Sequence, residues 1–378
     1  MPPVAAPGAD ELYPGPGLGY DFHERTVSRH LVHRSSVSEV FITGWQTTGP
    51  YDFLLGAQWP RSHGFYRLAG DDRHDPVLLA ETIRQAGLLI AHAGFGVPQD
   101  HHFTMDELSY ALDLADLARL ATGAGPASLM LRVTCEDVRM RRDRLVSLRI
   151  HVAAEHDGRP VGRGSGHLTV LTPRAYERLR GHGGAVPVPL APGAPTAPTL
   201  VGRADAADVV LTPARQPGSW LLRTDARHPV LFDRPAARPL DRVPGMLVLE
   251  AARQAAQRLR HPEPVVPVEA TAGFGRYIEL DRPCLVRAWI EPGPDRRRVP
   301  VRVTLEQDGR TAAVCHLLTE PLAPGPAARA ADGTADDLAA GPDGPTAAQG
   351  ATAQGATVQA ATAPARRRSG GTGLPIAS

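Results

Sequence analysis

The feature that most constrains this chain is an internal repeat. The segment Val77–Ala86 (VLLAETIRQA) aligns without a gap with Met246–Ala255 (MLVLEAARQA), at an offset of 169 residues. The same offset aligns Ser38–Thr43 with Ala207–Thr212, well upstream of the first match. A repeat that holds one offset over such a distance indicates two copies of one domain in tandem.

Each copy has the same predicted order of elements: a β-rich opening, one strongly apolar helix and several strands. The first helix follows Asp75-Pro76, a good helix start, and its apolar residues cover nearly its whole circumference, as in a helix buried on most sides. Alternating apolar strands around the turns Asp157-Gly158 and Asp308-Gly309 predict antiparallel pairing. We therefore predict an α+β fold, a tandem (double) hotdog in which an antiparallel sheet wraps each long buried helix.

Composition sets the predicted domain boundaries. The chain has 38 Gly and 37 Pro, more than ordinary usage, and large apolar residues almost disappear from Ala323 onward. Such a tail cannot offset its ordering entropy by burial. The predicted organisation is an N-terminal extension, a first hotdog domain, a Pro/Gly-rich linker, a second hotdog domain and a disordered tail, at residues 1–29, 30–180, 181–198, 199–322 and 323–378.

Composition also excludes several function classes. All 41 basic residues are Arg, so no lysine is available for a Schiff base or a P-loop. A net charge of +1 lacks the basic excess of a nucleic-acid binder. The start of the chain resembles no signal peptide and no apolar stretch is long enough to span a membrane, so we expect a cytoplasmic protein that binds neither nucleic acid nor membrane.

Neither the cysteines nor the histidines are spaced like metal ligands. The three cysteines are far apart with no C-x-x-C spacing, and the histidines near the Pro98 loop are predicted to be exposed: Cys135, Cys284, Cys315, His92, His101 and His102. We predict no metal and no cofactor.

Two acid–base pairs stand out because the helices that carry them are otherwise apolar. Glu81 and Arg84 lie three residues apart, as do Glu250 and Arg253 in the second copy. Charges in a buried helix are costly unless they are paired or face a polar cavity. One interpretation is an intrahelical ion pair that orders each core, and the other is a shared pocket between the two helices. The spacing leaves both open.

Longer runs carry a family resemblance. In the first copy they lie at Val32–Arg34, Gly56–Arg61, His63–Tyr66 and His74–Gly87, and the second copy contributes Val243–Ala255. These runs resemble the A-factor biosynthesis hotdog family, the γ-butyrolactone synthases that make bacterial signalling lactones. The resemblance covers roughly residues 30 to 320. The family usually places His before Val-Pro-Gly, where this chain has Arg242, a departure that bears on substrate choice more than on the fold.

The resemblance implies an acyltransferase. It would move a β-ketoacyl group from acyl carrier protein to the hydroxyl of dihydroxyacetone phosphate, giving an ester that cyclises towards a butenolide. It assigns Glu81 as the base and Arg253 as the cation for the phosphate, with Arg84 and Glu250 as substrate-binding partners. Unpaired N–H groups at the helix starts near Val77 and Met246 are candidates to polarise the thioester carbonyl.

Other readings remain open at this stage. A double hotdog with an acyl pocket is also compatible with a non-catalytic acyl- or lactone-binding regulator, or with a hotdog thioesterase that uses water. Dehydration is disfavoured because Ala236 stands where hotdog dehydratases carry their histidine. The aromatic residues Trp59, Phe65 and Tyr66 suit either an acyl channel or plain core.

Overall fold

A computed structural model describes residues 21–120, 125–181, 190, 193–235, 240–293 and 295–322. The predicted tail, 323–378, and most of the predicted linker lie outside the described residues. The predicted boundaries therefore stay predictions, although residues 21–29 already pack on the first copy. There, buried Val27 donates its N–H to the Ile42 carbonyl.

One antiparallel sheet runs through the described part of the chain. Its order is β1-β2-β4-β5-β6-β3-β9-β12-β11-β10-β8-β7, so the second six strands mirror the first six. The strands of the first copy are β1 Ile42–Thr47, β2 Asp52–Trp59, β3 His102–Leu112, β4 Ala127–Arg141, β5 Arg144–His156 and β6 Arg159–Leu171. Those of the second are β7 Leu211–Pro213, β8 Ser219–Leu222, β9 Val265–Phe274, β10 Cys284–Ile290, β11 Val299–Gln307 and β12 Arg310–Pro321.

The α-helices of the described residues are α1 Val77–Leu89, α2 Leu114–Arg119, α3 Pro173–Arg180 and α4 Gly245–Arg260. Every residue of α1 is buried, and a π-helical turn, Ile90–Gly94, continues it. In α4 the residues from Met246 to Gln257 are buried. Short 3₁₀ turns precede the helices at Arg29–Val32, Val37–Glu39, Pro198–Val201 and Ala206–Asp208.

The two halves meet edge to edge. Strand β3 pairs with β9 from Glu107↔Gly273 to Ala111↔Glu269, which turns two half-sheets into one. A single apolar core runs through both halves and contains α1 and α4. The predicted double hotdog is confirmed: each half wraps its sheet around one long buried helix, and the repeat in sequence is a repeat in structure.

Candidate active site

A buried ion cluster surrounds Glu81 in the middle of α1. Its carboxylate is fully buried and accepts hydrogen bonds from Arg34 (Nε 3.1 Å), Arg84 (Nε 2.8 Å) and Gln85 (Nε2 2.7 Å). Second nitrogens of Arg34 and Arg84 lie 2.6 and 2.7 Å from the same carboxylate. Two guanidiniums therefore hold one carboxylate in an apolar interior.

The second copy repeats this cluster around Glu250. Its carboxylate accepts from Arg203 (Nε 2.9 Å), Arg253 (Nε 3.0 Å) and Gln254 (Nε2 2.5 Å). Arg203 stands at the same offset from Arg34 as Glu250 does from Glu81, so the pseudo-symmetry extends to every member of the cluster.

Each cluster also donates a hydrogen bond to a backbone carbonyl of the opposite half. Arg34 Nη1 donates to the carbonyl of Val230 at 2.8 Å, and Arg203 Nη1 donates to the carbonyl of Phe65 at 2.6 Å. These carbonyls belong to loops fixed by a buried histidine. His63 Nδ1 accepts the backbone N–H of Phe65, and His228 Nδ1 accepts that of Val230. The clusters thus lie at the junction between the two copies.

The electrostatics fix the charge of both carboxylates. Burial alone raises the pKa of Glu81, but Arg34 and Arg84 outweigh it and hold that pKa well below its usual range. For Glu250, Arg203 and Arg253 likewise outweigh burial and lower its pKa. Both glutamates are therefore ionised at neutral pH.

One position breaks the symmetry of the clusters. Asp75 caps the start of α1, accepting the Val77 N–H at 3.0 Å, and its other oxygen lies 2.9 Å from Arg253 Nη1. At the same offset the second copy has Pro244, which carries no carboxylate. Among the described residues, Arg84 Nη1 consequently has no hydrogen-bond partner.

At the pseudo-symmetric position, where Pro244 stands in place of Asp75, the structure opens into a large cavity. Arg84, Pro244, Gly245 and Met246 line this cavity, which has a volume of about 1600 Å³. Met246 matches Val77 at the repeat offset, and its N–H lies in the first turn of α4, where helix donors have no intrahelical partner. An unpartnered guanidinium nitrogen and the positive end of a helix thus border one space.

Positive charge is in excess around this cavity. All five carboxylates that line it are paired: Asp100 with His101, Asp106 with His167, Asp241 and Glu279 with Arg180, and Asp308 with Arg282. Three lining arginines have no carboxylate partner in the described ranges: Arg234, Arg276 and Arg310. Within the described ranges, Arg234 donates to the carbonyls of His33 and Asp233. Burial and the nearby charges of Arg84 and Arg34 lower its pKa.

The structure separates the predicted site residues into two groups. Arg84 lines the cavity, whereas Glu81, Glu250 and Arg253 are enclosed in their clusters. Glu81 and Arg253 engage different partners, and no hydrogen bond or ion pair joins them in the described chain. Their roles as base and phosphate cation stay predictions. The sequence reasoning missed Arg34 and Arg203, although the repeat offset aligns them.

Two minor sequence interpretations are resolved by burial. Trp59, Phe65 and Tyr66 are core residues, at most 3% exposed, and none of them lines the cavity. The prediction that His92 is exposed is wrong, because the π-helical turn that continues α1 carries it into the interior, where it is 4% exposed. His101 is buried to a similar degree, and the partly buried His102 stacks on Tyr176. The three cysteines are free and buried.

Arg242 occupies the cavity wall just before α4. It donates to Asp241 Oδ1 at 3.0 Å, to the Phe103 carbonyl at 3.1 Å and to the Tyr176 hydroxyl, and it lies over the ring of Tyr277. A histidine is too short to reach this set of partners. The departure from the family's usual residue therefore reshapes the wall of the cavity.

Comparison with known proteins identifies the family. A profile of the A-factor biosynthesis hotdog domain matches residues 21–172 and 190–323. The chain is 42% identical over 294 residues to the 2-oxo-3-(phosphooxy)propyl 3-oxoalkanoate synthase of Streptomyces virginiae, covering 77% of this chain and 96% of that protein. The enzyme of the same name from Streptomyces griseus is 40% identical over 285 residues, covering 75% and 92%.

Solved structures give a weaker likeness. The 12:0-ACP thioesterase from Umbellularia californica is 9% identical, with a TM-score of 0.45 and coverage of 71% of this chain and 94% of that one. A putative oleoyl thioesterase from Lactobacillus plantarum is 10% identical, with a TM-score of 0.44 and coverage of 71% and 97%. At these TM-scores neither likeness bears on the chemistry.

The family of this chain is shown by the profile match and by its similarity to the two synthases. No helix in the described ranges is long and apolar enough to cross a membrane. The family predicted from the sequence is confirmed by a profile that spans both halves and by synthases that share about two fifths of the aligned residues. The chain belongs to the A-factor biosynthesis hotdog family.

Proposed function

We propose that this protein transfers a 3-oxoalkanoyl group from a thioester to the hydroxyl of dihydroxyacetone phosphate, because its relatives are named as synthases of the corresponding ester, 2-oxo-3-(phosphooxy)propyl 3-oxoalkanoate. The observation that carries the proposal is the open anion position between Arg84 Nη1 and the start of α4. Acyl transfer needs such a position because negative charge develops on the thioester carbonyl oxygen in the transition state.

The closed position, which Asp75 fills between the two halves, supports this assignment. Asp75 places one carboxylate oxygen on a helix-start N–H and the other on Arg253 Nη1. The pseudo-symmetric donors at the open position are Met246 N–H and Arg84 Nη1, and Pro244 leaves the space before them to a ligand. From this pseudo-symmetry we place an oxyanion of the substrate at the position that corresponds to the Asp75 carboxylate.

The phosphate of the acceptor is expected to bind the cavity arginines that have no carboxylate partner among the described residues. Arg234 has no carboxylate partner in the described chain and lines the same cavity as Arg84. A guanidinium fork matches phosphate oxygens in geometry and charge. We therefore assign the phosphate to Arg234, with Arg276 and Arg310 nearer the exposed rim. The cavity exceeds the usual size of a small-molecule pocket, which leaves room for acceptor and acyl chain together.

The enclosed residues take supporting roles in this proposal. Glu81 accepts hydrogen bonds from three side chains and holds Arg84 in place, and Glu250 does the same for Arg253. These contacts favour positioning for Glu81 over proton abstraction, and a structural role at the junction for Arg253. Acyl carrier protein remains the proposed donor, because an acidic carrier suits the arginine-bearing rim.

One assay separates the candidate functions. The protein is incubated with a β-ketoacyl thioester on acyl carrier protein, with and without dihydroxyacetone phosphate, and products are identified by mass. Phosphorylated ester formed only with the acceptor supports the proposal. Free β-keto acid formed without acceptor would indicate a thioesterase, and binding without any product would indicate a regulator.

A further inference from the structure

We propose that the edge of β3 from Phe103 to Met105 binds the pantetheine arm of the acyl carrier protein, by pairing with the amides of the arm as a further strand would. This inference rests on the proposed function and deepens it, because it names the part of the donor that the protein recognises. It follows from the place where the seam between the two halves ends.

The seam between the halves covers only part of β3. On one side β3 pairs with β6 over its whole length, whereas on the other side its pairing with β9 begins only at Glu107. Strand β9 ends at Phe274, and the N–H of the following Gly275 donates to β12 instead. The half-buried residues from Phe103 to Met105 line the large cavity that opens at this point.

The backbone of this edge faces the cavity. The Phe103 carbonyl accepts from Arg242 Nη2 at 3.1 Å, so the N–H and the carbonyl of Phe103 point away from β6. Strand residues alternate in this respect and the register with β6 is regular here, so Thr104 bonds towards β6 and Met105 points the same way as Phe103. In the described ranges no strand pairs with the Phe103 N–H or with the N–H and carbonyl of Met105. The edge therefore presents two donors and one acceptor in a row.

The chemistry of pantetheine matches this row of groups. The arm is a linear chain with two amides, each of which offers one N–H and one carbonyl, and peptide-like chains bind to open strand edges through such groups. The other reactants do not match it, because the acyl chain is apolar beyond its keto group and dihydroxyacetone phosphate has no N–H. The pantetheine arm is therefore the part of the reactants that complements the edge.

The edge also lies beside the position assigned to the oxyanion. At the start of α4, a Cβ on Gly245 would lie 3.3 Å from the Phe274 ring, so the helix start packs against the last residue of β9. In α1, a Cβ on Gly87 would lie 2.6 Å from Leu168 Cδ1, and Leu168 pairs with Met105 in the sheet. The two helices that supply the oxyanion donors thus flank the edge, and an arm bound along it brings its terminal thioester to them.

The rim of the cavity fits a carrier protein. Arg276 and Arg310 line the cavity, are exposed and have no carboxylate partner among the described residues. A positively charged rim attracts an acidic partner and orients it. Acyl carrier proteins are acidic and hold the arm as a tether, so we assign the arm on the edge to a carrier. Coenzyme A bears the same arm and is the alternative donor in the test.

The first test measures binding in the unaltered full-length chain. The probe is a 2-oxoalkyl thioether of pantetheine, in which a CH₂ group between sulfur and carbonyl prevents acyl transfer. At saturation, established by calorimetry, hydrogen–deuterium exchange in peptides that cover residues 102–106 should slow by at least about tenfold at the edge N–H groups. The 2-oxoalkyl thioether of butanethiol has no amide and should not slow it. Peptides of β4, which does not line the cavity, report any general stabilisation.

The second test removes one backbone donor. Met105→Pro deletes the N–H that points away from β6, so the pairing of β3 with β6 is kept, as at other strand edges that carry proline. The preference in kcat/KM for the β-ketoacyl thioester of pantetheine over that of butanethiol should fall by about 5–10-fold, as expected for one lost hydrogen bond. Met105→Leu is the matched control, because it changes the side chain and keeps the N–H, and its preference should equal that of the parent. Thermal melts establish that both variants are folded.

The outcomes separate this inference from the proposed function. If the parent protein forms no ester but the pantetheine thioether slows exchange at residues 102–106, the proposed function fails and the binding edge stands. If the parent forms ester while exchange is unchanged at saturation, or while folded Met105→Pro keeps its preference, the edge does not bind the arm and the acyl transfer stands. A kcat/KM with the coenzyme A thioester that equals or exceeds that with the acyl carrier protein would overturn the assignment to a carrier.

Discussion

His74 is a buried imidazole at the turn that leads into α1. Its Nε2 is buried and has no hydrogen-bond partner among the described residues, and the ring lies edge-on against Trp59. Burial, with a smaller effect of His156, lowers the pKa of His74 from 6.5 to about 4. The folded protein therefore holds this ring neutral where the unfolded chain protonates it.

The lowered pKa of His74 sets the direction in which the free energy of unfolding changes with pH. Because the folded-state pKa lies below the unfolded one, the free energy of unfolding falls as pH drops from 6.5 towards 4, by up to about 3 kcal/mol from this group. His74→Leu removes the titration, so urea unfolding at several pH values should show a shallower acid-side decline in the variant. An unchanged decline would mean that His74 is protonated in the fold. His30→Leu, at an exposed position, is the control.

Arg84 and Arg253 occupy equivalent positions in the repeat but have different surroundings. The same substitution at each position therefore gives a matched comparison. Arg84→Met removes the oxyanion contact and leaves Glu81 paired with Arg34, so turnover should fall by about 10²–10³-fold with a small loss of stability. Arg253→Met leaves buried Asp75 without its ion partner and should cost about 3 kcal/mol of unfolding free energy.

Denaturant unfolding and acceptor kinetics on these two variants, measured side by side, would check the assignment. Should Arg253→Met be as stable as the parent protein and selectively lose activity, the open and closed positions have been assigned the wrong way round.

At the scale of single residues, the sequence predicted the Glu–Arg pair of each helix but not the other residues that contact these pairs. The repeat places a Glu and an Arg in each helix, and the ion pair within each helix was one of two open interpretations. The third partner comes from Arg34 or Arg203, and the cross-half contacts come from Phe65 and Val230, whose loops do not share the 169-residue offset. These loops repeat at an offset of 165 residues (230 − 65), so an ungapped alignment at 169 does not bring Phe65 and Val230 together.

At the scale of elements, the starts of α1 and α4 differ in whether a side chain caps them. Asp75 is the N-cap of α1 in function, and Pro244 occupies the N-cap of α4 with φ −70° and ψ 147°. An aspartate is a favourable N-cap, whereas proline has no side-chain acceptor. The aligned repeat shows this difference between Asp75 and Pro244. Its consequence for Arg84 is seen only in the structure.

Pro244→Asp should therefore stabilise the protein and inactivate it. The new carboxylate would cap α4 and occupy Arg84 Nη1 as Asp75 occupies Arg253, adding about 1 kcal/mol of stability while turnover falls by at least about 10²-fold. Pro244→Ala, which brings no carboxylate, should keep most of the activity. Melting curves and turnover on both variants give the answer, and an active, folded Pro244→Asp enzyme would refute the anion position.

At the scale of the whole molecule, the two halves complete each other. Each half would expose the edge of β3 or β9 if it stood alone, and each buried guanidinium of Arg34 and Arg203 would lose a carbonyl partner. Exposed edges of long strands lead to aggregation. The double hotdog was predictable because the repeat, the buried helix and the strand pattern all agree, and edge-to-edge pairing is expected of hotdog sheets, whereas the identity of the two seam strands, β3 and β9, was not predictable.

A fragment of residues 21–181 should therefore aggregate when it is expressed alone. Coexpression with residues 190–322 should yield a soluble complex that elutes at the mass of one full chain, as size-exclusion chromatography would show. A soluble, monomeric and active first half would contradict the shared seam.

The mismatch between Asp75 and Pro244 has an evolutionary consequence. A homodimer encoded by one gene must carry every substitution twice, so it cannot seal one of its two equivalent sites and keep the other. Once two copies are joined in a single chain, each helix start mutates independently. In this chain Asp75 closes one of the two equivalent positions and Pro244 leaves the other open, so we expect the chain to bind one acyl acceptor rather than two.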